Sequence, residues 1–233
     1  NQIPKSKVVG SDETECQLNG KKGWIWTWQT NALTYLRFSN NRGEKTLLDV
    51  FPNGLPNSIV VHDSYATQFM HKCKGHQMCL PHLIRELNYF IEKGDQWSAQ
   101  FKQQLKAAIT LYHKIKKYPE KNFKRSINRI NKNIDQLLVG KKSGKGLLEA
   151  FKDRMRKKRK ALLRFLDDPH IPHDNNGSER AVRNIKVKTK ISGMFKTEIG
   201  ADQFAVIRSV IDTFIKRDQP VLTSLFSKLS AGT

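Results

Sequence analysis

The stretch "SIVVHDSYA" (residues 58–66) decides the fold, because it is a short, continuous apolar run that ends in a polar pair. Such a run is typical of a strand that is covered on both faces, as in a parallel or mixed sheet. Asp63 then follows the end of a buried strand, and in open α/β sheets ligands bind beyond the carboxyl ends of the strands. The other interpretation is an Asp that caps the next helix, and on position alone that interpretation is slightly favoured.

The segments before this run predict three strands and a helix. "SKVVGSDETE" (residues 6–15) is a plausible first strand, and "GWIWTWQT" (23–30) alternates as a half-buried strand does, forming a hairpin with "LTYLRFS" (33–39). "NRGEKTLLDVF" (41–51) has Leu47, Leu48 and Phe51 at helical spacing, and Pro52 and Gly54 end it. The order β-β-β-α-β predicts an α/β or α+β fold with helices against a sheet.

The rest of the chain is predicted to be helical. Between residues 82 and 168, four stretches carry apolar residues at every third or fourth position, separated near Gly94, Pro119 and Gly140. Residues 201–217 form an amphipathic helix in which the apolar residues are Phe204, Ile207, Ile211 and Phe214.

Net charge is the strongest signal in the composition. The 233 residues include 42 Lys and Arg against 21 acids, a formal charge of +21. An excess of this size favours a polyanionic partner, most often nucleic acid, over a merely basic surface or an anionic membrane face. Composition alone leaves DNA and RNA open.

Other bulk features restrict the class of protein. No run of eighteen apolar residues occurs, so we expect no membrane span. Three cysteines are too few for a disulfide framework and indicate a reducing cytoplasm. The chain begins with Asn1 rather than Met, as expected of a processed or shortened piece.

One basic stretch stands out. From residue 141 to residue 164 the chain has eleven Lys or Arg against two acids. A charge run of this kind is usually the solvated face of a helix. In a protein that is basic overall, contact with phosphates is an equally good interpretation.

Three acids are candidates for chemistry. Asp12, in "VVGSDET", follows two valines, but acids at strand ends commonly make turns. Glu179 lies in "DNNGSERAVRNIK" (174–186), where a helix that starts near Asn175 would put it beside the apolar side of Val182 and Ile185. The simpler interpretation of Glu179 is a pair with Arg183, which stabilises a helix by only a few tenths of a kcal/mol.

Three carboxylates, two from strands and one from a late helix, would form a good metal site. Oxygen ligands suit Mg²⁺, with Mn²⁺ as a substitute, and two such ions can activate an attacking oxygen and stabilise a leaving oxygen at phosphorus. Metal binding would also explain acids in a basic protein.

Four motifs occur in an order that resembles the transposases of the insertion-sequence 66 family: "SDETE", "VVHDSYA", "CLPHLIREL" and "DNNGSERAVRNIK". The resemblance extends from about Val8 to Leu225, and its last motif is the most specific. It implies a ribonuclease-H-like, retroviral-integrase-like mixed sheet flanked by helices. It also implies a catalytic Asp-Asp-Glu triad, here Asp12, Asp63 and Glu179.

The spacing of the implied triad indicates an insertion. Asp12 and Asp63 are 51 residues apart, which suits three strands, a helix and a fourth strand. The 116 residues from Asp63 to Glu179 exceed what the core fold needs. We therefore expect a catalytic core of residues 1–83 and 168–233, with an all-helical insertion domain of residues 84–167.

The resemblance implies DNA transposition by direct phosphoryl transfer in a prokaryotic, nucleoid-associated protein. The implied partners are transposon ends and target DNA, bound by a homodimer or larger assembly. Two ions would be held, one by Asp12 and Asp63 and one by Asp12 and Glu179. Phosphate contacts are expected from two basic groups on the late helix and in the basic stretch: Arg180, Arg183 and Lys186, and Arg154, Arg156, Lys157, Lys158, Arg159 and Lys160.

The chain departs from the family pattern in two respects. Val182 and Asn184 stand where many relatives have Leu and Pro, a change on the apolar side of the helix. Full-length relatives also carry N-terminal helical and zinc-binding segments that recognise transposon ends, so this sequence corresponds to the catalytic core alone.

A second cluster has metal-ligand spacing. His71 is followed by Cys73, His76, Cys79 and His82, and the last four fit the pattern Cys-x-x-His-x-x-Cys-x-x-His. Because this segment is predicted to run from a strand into a helix, we expect a buried Cys79 and surface histidines rather than zinc. In the resembled family Cys79 and His82 match a motif near the active site, which implies a supporting role for His82.

Two other functions remain open on the sequence. A hydrolytic nuclease of the same superfamily would use the same triad and would give no strand-transfer product. A non-catalytic DNA-binding module would use the acids as caps and ion pairs, and its DNA binding would not change when Glu179 is replaced by Gln.

Overall fold

A five-stranded mixed sheet organises the first third of the chain in this computed structural model, which describes residues 2–140 and 144–230. The elements in chain order are β1 (Val8–Leu18), β2 (Lys21–Gln29), β3 (Thr34–Ser39), α1 (Glu44–Val50), β4 (Leu55–His62) and β5 (Cys73–Met78). The strand order is β3-β2-β1-β4-β5, with β1 antiparallel to β2 and parallel to β4. The predicted β-β-β-α-β order and the α/β class are confirmed, and the sheet is consistent with a ribonuclease-H-like fold.

The predicted hairpin of β2 and β3 is present, and β1 forms a second hairpin with β2 that the sequence analysis did not predict. The two-residue turn of this second hairpin is Asn19-Gly20, and both residues have positive φ, at 46° and 75°. This is the turn geometry that matches the twist of two antiparallel strands, and Asn-Gly is its preferred sequence. The two strands therefore continue to the turn, beyond the predicted end at Glu15.

Both faces of the sheet are covered. On one face Trp26 and Trp28 are fully buried and their rings stack with centroids 5.8 Å apart. On the other face Ile25 packs with Cys16 and Leu36. The prediction that β2 is half-buried was wrong, because the side chains that alternate with the tryptophans also face a core.

Helix α7 (Glu198–Lys216) closes one edge of the sheet. Its Ser209 Oγ accepts from the backbone N–H of Leu36 at 2.8 Å, and Thr213 Oγ1 accepts from that of Thr34 at 3.1 Å. These N–H groups belong to the edge strand β3, so the helix satisfies donors that would otherwise be open to pairing with another chain.

The buried side of α7 matches the predicted side only in part, since Phe214 is buried and Phe204 packs against the core as predicted. Ile207 is 55% exposed, whereas Ala201, Ala205 and Ser209 are buried. Small side chains allow the helix backbone to approach β3 closely enough for its hydroxyl groups to reach the strand. Likewise, Leu48 of α1 is exposed, although it was predicted to lie on the apolar side.

Two further helices belong to the same compact unit. These are α6 (Asn176–Ser192) and α8 (Val221–Ser230), and α6 packs against β1 and β2. Ala181, Val182 and Ile185 of α6 are buried, as the sequence predicted for this helix.

Residues 75–174 form a helical unit. It contains α2 (Leu80–Ile91), α3 (Gln96–Lys117), α4 (Lys124–Leu137) and α5 (Leu147–Lys157). Asp95 caps α3 by accepting from the N–H of Ser98 at 2.7 Å. Trp97, Phe101 and Phe151 build an aromatic core, in which Trp97 stacks on Phe101 with centroids 4.8 Å apart.

The last predicted helix of this unit, residues 144–168, is shorter than expected. Helix α5 ends at Lys157, and two single 3-10 turns follow. Ala161, Leu162 and Leu163 are consecutive and all buried, which one face of a continuous helix could not achieve. Gln77 satisfies the interrupted backbone, since it donates to Leu162 O and accepts from Phe165 N. Lys141 and Lys142 of the basic stretch lie outside the described residues.

The chain divides into two compact units. Unit 1 is Asn1–Lys74 with Asn175–Thr233, and unit 2 is Gly75–Asp174. The predicted insertion of residues 84–167 lies within unit 2, and its role as an insertion into a catalytic core stays a prediction. Among the described helices, none combines the length and apolar character needed to cross a membrane.

We predict that Ser209→Ala destabilises the protein by about 1–3 kcal/mol, because it leaves the buried N–H of Leu36 without an acceptor. Chemical denaturation measures the change in the free energy of unfolding. Ser192→Ala, at an exposed serine of α6, is the control and should change stability by less than about 0.5 kcal/mol. Equal effects of the two substitutions would contradict the role of α7 in closing the sheet edge.

Candidate active site

Asp12 lies on β1, and Asp63 directly follows the end of the neighbouring parallel strand β4. The register pairs Val8 with Ile59 and Gly10 with Val61, and its continuation by two residues brings Asp12 beside Asp63. Residues an even number of positions apart on a strand share a face, so both acids are on the face that carries Gly10. Both are partly buried.

Glu179 lies in the first turn of α6, and the start of this helix is fixed on β1. The Asn175 side chain donates from Nδ2 to Ser11 O at 2.8 Å, and its Oδ1 accepts from Ser178 Oγ at 2.7 Å. Asn175 and Ser178 are buried. The polar "NNGS" segment therefore anchors the helix one residue from Asp12, which explains a helix start rich in Asn, Gly and Ser.

Two glycines allow this close approach. A Cβ atom on Gly10 of β1 would lie 2.6 Å from Ser178 Oγ and 2.5 Å from Gln29 Nε2. A Cβ atom on Gly177 of α6 would lie 2.4 Å from the same Gln29 nitrogen. Gln29 has little freedom to move, since its Oε1 accepts from the ammonium of Lys216 at 2.6 Å. Only glycine at both positions fits the distance between helix and strand.

The pKa of Asp12 is affected by the charges of both other acids. Burial, followed by the negative charges of Asp63 and Glu13, raises the pKa of Asp12 to about 7. The backbone N–H of Glu13 donates to Asp12 Oδ1 at 2.9 Å and opposes this rise, whereas Glu179 adds to it. The structure thus brings the three predicted residues within electrostatic range of one another, and their catalytic role stays a prediction.

The donor set suits a hard divalent cation. Asp12, Asp63 and Glu179 offer only carboxylate oxygens, the ligands that Mg²⁺ and Mn²⁺ prefer. Like charges held together and partly away from water are costly unless a cation neutralises them. The oxygen chemistry of these residues therefore fits the metal that the sequence implied, and metal binding here stays a prediction.

The comparison with protein families decides the family of this chain. Its residues 1–203 match the model described as "Transposase IS66 family". The chain belongs to this family of transposases. Neither the comparison with curated proteins nor the comparison with solved structures found a match.

A transposase acts on DNA, and α6 carries basic residues next to its acid. Arg180, Arg183 and Lys186 are exposed on the helix that bears Glu179. Their contact with DNA phosphates stays a prediction.

Several basic residues of unit 2 already have partners within that unit. Arg154 donates to the Glu86 carboxylate at 2.5 Å, and Arg156 Nε donates to Leu138 O at 3.1 Å. Arg159 donates to Asp135 at 2.6 Å. Lys157 and Lys160 are exposed and Lys158 is half-buried. DNA contact by these six residues stays a prediction, and the exposed lysines are its best candidates.

In the Cys and His cluster the expected burial of Cys79 is confirmed, and the expectation of surface histidines was wrong, because His71 is buried and His76 and His82 are half-buried. His71 is a core residue, since Ser11 Oγ lies 3.3 Å and Trp28 Nε1 lies 3.4 Å from its Nε2. Cys79 is fully buried, and its Sγ is 3.2 Å from His82 Nδ1. Burial, with Lys158 and Arg164 nearby, lowers the pKa of His76 to about 4. The supporting role of His82 stays a prediction.

Glu13 was missed by the sequence analysis. Its side chain is only 1% exposed, and its Oε1 accepts from Arg42 Nη2 at 2.9 Å and from Arg42 Nε at 3.1 Å. Its Oε2 accepts from Gln68 Nε2. Burial is the main cause that raises the pKa of Glu13. The "DET" motif offered a signal, because Glu13 alternates with Asp12 and had to face the other side of the sheet.

We predict that Asp12→Asn stabilises the metal-free transposase at pH 8. The pKa of Asp12 is about 7 in the folded protein and 3.8 in a model carboxyl, so the folded state binds the proton more tightly. Stability is therefore greatest below the unfolded pKa and falls as pH rises from about 4 to about 7. Since one pKa unit corresponds to about 1.4 kcal/mol, we expect a gain of about 1–3 kcal/mol at pH 8 for a partly buried group.

Chemical denaturation in the presence of a chelator, at pH 4.5 and pH 8, measures this gain. At pH 4.5 the advantage of Asp12→Asn should be much smaller. Glu15→Gln is the matched control, because Glu15 is an exposed acid of the same strand β1. If Asp12→Asn were less stable than the wild type at pH 8, burial and repulsion of the Asp12 charge would not be the dominant effects at this position.

Proposed function

We propose that this transposase cleaves transposon ends and joins them to target DNA by metal-dependent phosphoryl transfer, with Asp12, Asp63 and Glu179 as metal ligands. The observation that carries the proposal is the parallel register of β1 and β4, which brings Asp12 beside Asp63 on the face against which α6 packs. The acid-rich site in a chain of charge +21 supports it, because these acids would otherwise repel the DNA.

Each acid has a distinct role in holding two ions. Asp12 would be the shared ligand, since its strand β1 pairs with β4 and also anchors the start of α6 through Ser11. Asp63 completes the set for one ion and Glu179 the set for the other. When bound, the ions would supply charge that activates the attacking oxygen and stabilises the leaving oxygen at phosphorus. The anchored start of α6 and the paired strands hold the three carboxylates in place without the ions.

The proposed reaction has two transfers at phosphorus. In the first, a water oxygen attacks the phosphodiester, the bond from phosphorus to the 3′-oxygen breaks, and that oxygen leaves as a hydroxyl with the proton lost by water. In the second, this 3′-hydroxyl attacks a phosphodiester of the target, and the displaced target 3′-oxygen takes the proton. Each step makes one P–O bond and breaks one, so no covalent enzyme intermediate is needed.

The DNA would be held by cations near the acids. Arg180, Arg183 and Lys186 are exposed on α6, within two turns of Glu179. In unit 2 the exposed Lys160 is a separate candidate for DNA contact, as is Lys157, which pairs with Asp153 at 2.8 Å. Joining two ends to one target requires two active sites, so we propose a homodimer or larger assembly on DNA.

Calorimetric titration with Mn²⁺ tests the site directly. The wild type should bind Mn²⁺, and Asp12→Asn, Asp63→Asn and Glu179→Gln should each lose at least one binding event while remaining folded. Loss in all three variants is expected because each removes one carboxylate ligand from a shared centre.

The control for this titration is Glu15→Gln, which should bind as the wild type does. Variants that bind Mn²⁺ with unchanged affinity and stoichiometry would overturn the metal site, and Glu179 would then be interpreted as a partner of Arg183.

The reaction products separate the proposed function from its alternatives. With DNA that carries the ends of its own element, the transposase should give a product in which a donor 3′ end is joined to target DNA, and Glu179→Gln should abolish it. Cleavage without joining would favour a hydrolytic nuclease. DNA binding without either reaction, unchanged in Glu179→Gln, would favour a non-catalytic module.

A further inference from the structure

We propose that Glu13, Arg42 and Tyr65 form a positioning clamp that fixes the Asp63 carboxylate from the opposite face of the sheet. These three residues are called the clamp below. The inference rests on the proposed metal site and adds residues that do not contact the metal themselves.

Glu13 is the anchor of the clamp. In the β1–β2 register it pairs with Trp26, which is fully buried, and its carboxylate is on the face opposite Asp12. Both Glu13 oxygens accept hydrogen bonds, one from Arg42 and one from Gln68. These donors hold the Glu13 carboxylate on the face opposite Asp12, away from the face against which α6 packs. Asp12 rather than Glu13 is therefore the member of the "DET" motif that belongs to the metal site.

Arg42 connects Glu13 to the segment that follows β4. Its guanidinium carbon lies 3.9 Å from the centroid of the Tyr65 ring, and two of its nitrogens donate to Glu13 Oε1. The preceding residue is also fixed, because the indole N–H of Trp26 donates to Asn41 O at 3.1 Å. A planar guanidinium can stack on a ring and donate from its edge at the same time, which an ammonium cannot do.

Tyr65 completes the connection to Asp63. Its backbone N–H donates to Asp63 Oδ1 at 3.0 Å, so the position of Tyr65 sets the orientation of that carboxylate. The Tyr65 carbonyl accepts from the N–H of Gln68 at 3.1 Å. Because Gln68 also donates to Glu13, the segment that carries Asp63 is tied to Glu13 at two points.

The clamp opposes the electrostatic repulsion between Asp12 and Asp63. Without a cation, Asp12 and Asp63 repel each other, and Asp63 is the residue that could turn away, since it lies just beyond the end of β4. Residues that orient a metal ligand typically change metal affinity by about 10- to 100-fold when they are replaced. The clamp holds Asp63 against the repulsion, so less reorganisation is needed when a cation binds.

Mn²⁺ calorimetry on clamp variants tests the proposal. Tyr65→Leu removes the ring and keeps the backbone N–H, and Arg42→Lys keeps the charge and removes the planar group. Each should weaken Mn²⁺ binding about tenfold with unchanged stoichiometry. The double variant should also lose about tenfold rather than a hundredfold, because the two residues act in one chain of contacts.

Two controls accompany these variants. Tyr65→Phe keeps the ring and should bind Mn²⁺ as the wild type does. Lys22→Gln removes an exposed ion pair with Glu15 on β1 and should also have no effect. Thermal melts will test whether each variant is folded. Arg42→Lys should keep the fold, because the Arg42 side chain is 43% exposed.

The outcomes separate the clamp from the metal site. If Asp63→Asn loses Mn²⁺ while Tyr65→Leu and Arg42→Lys bind it normally, the clamp is overturned and the metal site stands. Loss of a whole binding event in Glu13→Gln would also overturn the clamp, since Glu13 would then be a ligand. A wild type that binds no Mn²⁺ would overturn both.

Discussion

The parallel pairing of β1 with β4 is the constraint on which the rest of this structure depends. It places a buried strand beside the longest strand of the sheet, and its register brings Asp12 next to Asp63. A slip of one residue would move Asp63 to the other face, because strand side chains alternate with a period of two. The same pairing therefore determines the core and the spacing of the acids. Helix α6 adds the third acid only because Gly10 of β1 lets it approach closely.

Bringing these acids together opposes folding, and the surrounding contacts have to compensate. The pKa of Asp12, raised to about 7, reflects that opposition. Compensation comes from two apolar cores, from the buried hydrogen bonds of Asn175 and Ser178, and from the closure of the β3 edge by α7. Proteins commonly concentrate unfavourable electrostatics at functional sites. A bound cation would turn this unfavourable electrostatic free energy of the three carboxylates into a favourable one.

The sequence predicted features that depend on local pattern. The apolar run of β4 and the anchored start of α6 follow from short motifs, and the order of the motifs indicated the family. Other features depend on tertiary contacts. Ile207 of α7 had the right spacing for a core face, but Ala205 and Ser209 face β3 because only small side chains let the helix reach the edge strand. The sequence did not reveal the role of Glu13, because that role depends on a hydrogen bond from Arg42, 29 residues away. Several arginines of unit 2 are engaged by acids and carbonyls that charge counting cannot identify.

Diffraction from crystals grown with Mn²⁺ would show whether three acids distant in sequence share one metal centre. Anomalous scattering locates the metal independently of any assumption about its ligands. We expect a strong anomalous peak within about 2.0–2.3 Å of oxygens of both Asp12 and Asp63, with Glu179 coordinating a second position. An anomalous map without a peak between Asp12 and Asp63, from crystals in which Mn²⁺ binds elsewhere on the protein, would contradict a shared metal centre.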